Sequence, residues 1–106
     1  MVVGDPNYKR QGTRVPAQLE AARSHYGDMV LITFQGPGPS YTASAWAVQN
    51  GVYFAELPNL RGRHGDQHPA LAAQAALSLR PAVCLAFGTC PAADAARWAG
   101  VPTYEV

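Results

Sequence analysis

Cysteine is scarce in this chain, and so is charge. Cys84 and Cys90 are the only cysteines among 106 residues. There is no CxxC pair and no His/Cys cluster at metal-ligand spacing, so neither a disulfide scaffold nor a metal site is expected. Asp, Glu, Lys and Arg together make 14% and the net charge is +1, which argues against both a disordered chain and a polybasic surface. Eight Lys and Arg in all are too few for nucleic-acid binding by counterion release, which needs many clustered cations. No apolar run approaches the length that spans a bilayer. Met1 is followed almost at once by Gly4, Asp5 and Pro6, not by the apolar stretch of a secretory signal. The expectation is a cytoplasmic protein in a reducing compartment, away from the membrane.

What the chain does have is apolar material, regularly punctuated. Hydrophobic residues make 48% of it, enough for one core in a single domain spanning residues 1–106. Val2-Val3 read as the stub of a first strand, ended by Gly4-Asp5-Pro6-Asn7 and followed by a polar loop to Arg14. A helix is predicted from about Pro16 to Tyr26, with Val15, Leu19, Ala22 and Tyr26 on one stripe, Thr13 as cap and Gly27 as stop. Met29 to Phe34 is a continuous apolar run, as expected of a strand covered on both faces. Gln35 to Ser40 is a Gly/Pro loop, and Tyr41 to Asn50 a short helix closed by Gly51. Val52 to Leu57 is the third strand. Pro69 to Leu79 is a helix with Leu71, Ala75 and Leu79 inward. Ala82 to Phe87, Ala92 to Ala99 and Thr103 to Val106 complete the set as strand, helix and strand. The predicted class is α/β, a three-layer domain with about five parallel strands and helices on both faces. Crossovers of this length enforce parallel pairing and right-handed connections.

In such a sheet, ligands sit beyond the C-terminal strand ends, where the next helix begins. Helix N-termini favour anions there. Gly36 and Gly38 would let the backbone approach a phosphate, although Pro37 and Pro39 have no N–H to donate. The plainer reading is a stiff turn with Ser40 as helix cap. The loop is not a dinucleotide fingerprint, because Tyr41 stands where the third glycine belongs, and no Walker Lys-Ser/Thr pair follows. Arg61, Arg63, His64 and His68 follow the third strand. A guanidinium there could clamp a phosphate and a histidine add a donor, and the same charges equally suit a solvated loop. His64 and His68 have i, i+4 spacing but no helix around them and no third ligand close in sequence. Cys90 would open a helix, with no base identifiable beside it for a nucleophilic role. Asp5 suits either a site residue or an Asx turn toward Asn7. Trp46 and Trp98 read as packing or interface residues.

The order and spacing of these blocks resemble the SLOG superfamily, a Rossmann-like group, and within it the small YspA-like branch. Gly4-Asp5 stands where that family's first strand ends. Gly38 falls at a later glycine of its second loop, and Ala45-Trp46-Ala47 matches the helix that follows. Gly51-Val52 opens the next strand, and Arg63-His64-Gly65 matches the middle segment. Leu85-Ala86-Phe87 with Gly88-Thr89 matches the last loop, and Ala99-Gly100-Val101-Pro102 the close.

Joined to the loop reading, the resemblance implies a nucleotide or nucleotide-derived phosphate ligand, sensed or sequestered. Its contacts would be Gly4, Asp5, Gly36, Gly38, Ser40, Arg63, His64, Gly88 and Thr89, with no further cofactor. It also implies a homodimer, with Trp46 or Trp98 at its seam. The departures bear on chemistry. Pro6 replaces an arginine, Phe34-Gln35 a Gly-Gly pair and Ser40 an acid, and Cys90-Pro91-Ala92-Ala93 stand where a glutamate would follow Gly88-Thr89. The family's phosphoribohydrolases need that carboxylate beside an oxocarbenium-like transition state. A binding domain is therefore expected ahead of two alternatives, a phosphoribohydrolase using the same pocket and a degenerate scaffold that binds another protein through its Ala/Trp helices.

Overall fold

A computed structural model describes residues 1–58 and 69–106. The elements run β1 (Val2–Gly4), α1 (Gln11–Tyr26), β2 (Leu31–Phe34), α2 (Pro39–Asn50), β3 (Phe54–Leu57), α3 (Pro69–Leu79), β4 (Cys84–Phe87), α4 (Pro91–Trp98) and β5 (Thr103–Glu105). Every strand pairing is parallel, β1 with β4, β4 with β5 and β2 with β3.

Successive strand residues point to opposite faces, and here they feed two separate cores. Val3, Phe34, Cys84 and Ala86 join Ala72, Ala75 and Ala76 of α3 and Ala92, Ala93 and Ala96 of α4. Val2, Leu31 and Phe87 join Val15 and Leu19 of α1 and Ala43, Trp46 and Ala47 of α2. Helices α1 and α2 thus cover one face and α3 and α4 the other, the three-layer arrangement expected from the alternation. The α3 and α4 contribution is almost wholly alanine, and small side chains let helices approach closely.

The sheet itself differs from the expectation. The five strands form two parallel sheets, β1-β4-β5 and β2-β3, and the division falls at Ser40. Its Oγ accepts the Phe34 N–H of β2 at 2.6 Å and donates to the Val2 C=O of β1 at 3.1 Å. A hydroxyl therefore stands where a direct backbone rung would run. Deeper on the same side, Ser44 Oγ donates to Thr33 Oγ1 at 2.8 Å, which satisfies the one buried polar side chain of β2.

Element boundaries shift for local reasons. Helix α1 begins at Gln11, not near Pro16, and Arg10 takes the cap position with φ +60°. Thr13 does not cap it with its side chain; its Oγ1 donates back to the Arg10 C=O at 3.3 Å. Pro16 consequently lies inside the helix, where it lacks the N–H that would reach Gly12. On α3 the inward residues are Ala72, Ala75 and Ala76, while Leu79 is 52% exposed. That helix packs chiefly on α4, which rotates its buried stripe away from the Leu71, Ala75, Leu79 line.

Candidate functional site

The loops after β1, β2 and β4 converge at the C-terminal ends of the strands. Gly38 has φ +109°, and a Cβ placed on it would stand 2.8 Å from Pro6 Cα. A Cβ on Gly88, at φ +87°, would lie 3.3 Å from Asp5 Cβ and 3.2 Å from the Tyr8 ring. A Cβ on Gly4 would stand 2.7 Å from Pro39 Cγ. These glycines are spent on letting three loops close over one another. The first loop is also pinned: Asp5 Oδ1 accepts the Asn7 N–H at 2.8 Å, the Asx turn that the sequence offered. Tyr8 packs edge-on against Phe87 and donates its hydroxyl to the Val106 C=O at 3.1 Å.

Two helix N-termini meet at this end. Thr42 of α2 reaches Gln11, the first residue of α1, through Oγ1 and Oε1 at 3.4 Å. Neither helix has an acidic residue in its first turn or a side-chain cap. Lys9 and Arg10 are exposed beside the start of α1, and Arg14 donates to Tyr8 Oη at 3.2 Å. The first turn of α2 leaves the Ser40 and Tyr41 N–H groups without an intrahelical partner, since the Thr42 N–H is the first to bond back, to Gly38 at 3.1 Å. Cations and two positive dipole ends therefore sit together, with the Asp5 carboxylate in the same loops engaged by the Asn7 N–H, and helix N-termini favour an anion.

The residues singled out from sequence fall into three groups. Gly4, Gly38 and Ser40 are buried, and the Ser40 hydroxyl is engaged between the strands instead of capping α2, whose cap is Gly38. Asp5, Gly36 and Gly88 are half-buried and Thr89 is exposed, so these line the accessible surface. Arg63 and His64, with Arg61 and His68, lie outside the described residues. The structure thus brings together Gly4, Asp5, Gly38 and Gly88, and adds Tyr41, Lys9 and Arg10, which the sequence reading passed over. A count of cations ahead of a helix start would have flagged the last two.

Other side chains settle differently. Trp46 is 5% exposed and donates Nε1 to Glu20 Oε1 at 3.2 Å, so it is a packing residue joining α1 to α2 and cannot mark a dimer seam. Trp98 is 77% exposed. Cys84 and Cys90 are buried and neither is in a disulfide. Burial pushes the Cys84 thiol up to about 11, the behaviour of an inert core thiol.

At the opposite end of the strands lies a second concavity that the sequence reading did not find. A cleft of about 570 Å³ opens between the two sheets, lined by Met1, Leu19, Met29, Ile32, Val83 and Leu85 among others. Its walls are mostly apolar, and Asp28 stands in its lining. Among the described residues, no helix is long and apolar enough to cross a membrane. No family model, curated protein or solved structure matches this chain. The class it can be assigned is the one its fold defines, an α/β domain with two parallel sheets between two helical layers.

Proposed function

We propose that this chain binds a small phosphate-bearing ligand, a nucleotide or a nucleotide-derived molecule, at the C-terminal strand ends. The reading takes the two sheets as halves of one Rossmann-like sheet in the order β3-β2-β1-β4-β5, and the site as the SLOG-like crevice beside its middle strands. The observation that carries it is the meeting of the α1 and α2 N-termini, whose first turns carry no acid and are flanked by Lys9 and Arg10, while the nearby Asp5 carboxylate is held by the Asn7 N–H. Backbone N–H groups at Gly36, Tyr41, Gly88 and Thr89 are the proposed donors, with Lys9 and Arg10 as charges. Gly38 and Gly4 shape the loops from beneath and do not touch the ligand.

Hydrolysis is the less supported use of this site. Asp5 is held in its Asx turn, and Asp94 points to Arg97 at 3.1 Å on the exposed surface of α4. A protein-contact role is favoured by a different observation, the exposure of Trp98 at 77% together with Leu77 and Tyr104.

Thermal-shift measurements against AMP, ADP-ribose, NAD and inorganic phosphate test the proposal, because a ligand of the native state stabilises by RT ln(1 + [L]/Kd). At least one should raise the melting temperature in a concentration-dependent way. Thr89→Asp, which places an anion on an exposed loop, should remove the effect while leaving the ligand-free melting temperature unchanged. Stabilisation by none of them, or equal stabilisation of the variant, contradicts the proposal.

A further inference from the structure

We infer that the seam between β1 and β2 has two closed states. In one the Ser40 hydroxyl bridges it; in the other Phe34 N–H bonds Val2 C=O directly and the five strands form one sheet. The inference concerns the sheet alone and does not depend on which ligand the loops take.

Strand parity aims the two backbone groups at each other. On β2, Leu31 N–H bonds Tyr53 C=O and, just past the strand, Gln35 N–H bonds Leu57 C=O, so odd-numbered residues face β3. Phe34 therefore presents its N–H to the other side, toward β1. On β1, Met1 C=O accepts Leu85 N–H and Asp5 N–H bonds Phe87 C=O, so odd-numbered residues face β4 and Val2 faces β2. Ser40 Oγ sits between the Phe34 N–H and the Val2 C=O at 2.6 and 3.1 Å. Removing one partner from a buried hydrogen bond ordinarily strands the other. Here the two groups that the hydroxyl serves are one donor and one acceptor, and each satisfies the other once the hydroxyl leaves. The bridged rung consists of two hydrogen bonds in series and so holds the strands wider apart than a single bond would. Ser40 is the second residue of α2, so an outward shift of that first turn withdraws the hydroxyl and lets the strands close.

Ser40→Ala removes the hydroxyl without adding volume, and NMR reads the rung itself. In the variant, a scalar coupling across the hydrogen bond between the Phe34 amide nitrogen and the Val2 carbonyl carbon should appear; the parent should show none. The melting temperature should fall by less than about 4 °C, the equivalent of a small fraction of the stability of a domain this size. Ser40→Thr keeps the hydroxyl and should keep the parent pattern. In the unmodified protein, relaxation dispersion at the Phe34 and Ser40 amides should report the minor state. A Ser40→Ala variant that lacks the coupling, or one that fails to fold because two backbone groups are left stranded, overturns the inference. So does a flat dispersion profile at both amides.

Discussion

A Cβ at residue 38 would meet the Pro6 backbone at 2.8 Å while the backbone holds φ at +109°, so two penalties coincide there. Gly38→Ala should cost about 2–4 kcal/mol, the sum of left-handed strain and overpacking against a fixed loop, read as a drop in the urea midpoint. Ligand loss in that variant would follow from the displaced loop, which is why Thr89 is the better probe of binding. Cys84 gives a pH signature. Burial raises its thiol to about 11 from an ordinary 9.0, so above pH 9 the unfolded chain releases a proton that the folded chain keeps. Stability from this group is fully present below pH 9 and is lost as pH rises from 9 to 11, by about 2–3 kcal/mol in all. Urea unfolding across that range should show the decline in the parent and its absence in Cys84→Ala. At this scale the sequence was legible where the determinant was short-range. Asp5 and Asn7 are two residues apart, which is all an Asx turn needs. Ser40 misled because its partners, Phe34 and Val2, are set by the sheet, and its hydroxyl turned inward where a local reading gave it the cap.

Helix α1 shows how an element can start against its own signals. Arg10 holds φ +60° at the cap, a conformation that costs an L-residue roughly 1–2 kcal/mol and glycine little. Arg10→Gly should therefore raise stability by about 0.5–1 kcal/mol once the entropy of the added glycine is counted, and a denaturation curve checks it. The same substitution removes a proposed ligand charge, so stability and ligand affinity should move in opposite directions. The expected start near Pro16 followed from the preference of proline for the first turn. Tertiary contacts override it, because Tyr8 and Gln11 tie the preceding segment to Val106 and α2. Elements defined by a continuous apolar run, a terminal glycine or a flanking proline were placed closely from sequence: β2 ends at Phe34, α2 ends before Gly51 and α3, opened by Pro69, spans Pro69–Leu79. At the far end of the chain, Arg97 joins Asp94 of its own helix to Glu105 of β5 at 3.1 and 2.8 Å. All three side chains are solvent-accessible, so Arg97→Ala should leave the urea midpoint close to that of the parent.

For the whole molecule, the three-layer plan was readable because the same period of two that buries Val3 and Phe34 on one side buries Val2 and Leu31 on the other. The division into two sheets was not, since one inserted hydroxyl leaves no mark on hydrophobic periodicity. Topology led to the expectation that the loops at the C-terminal strand ends lie together and that glycines there approach a phosphate; Gly4, Gly38 and Gly88 instead close against neighbouring loops. What they approach is protein, Pro6 at Gly38 and Asp5 with Tyr8 at Gly88, which leaves Gly36, Tyr41, Thr89 and the Gly88 N–H as the proposed ligand contacts. The apolar cleft at the opposite end offers the natural contrast, because the two ends of the sheet should respond to different chemistry. An amide-resolved NMR titration with AMP and with inorganic phosphate separates them most directly. Ligand binding at the C-terminal strand ends should give shifts centred on Gly36, Tyr41, Gly88 and Thr89, with Lys9 and Arg10 following. Shifts confined to Met29, Ile32 and Val83, or no shift at millimolar ligand, would contradict it.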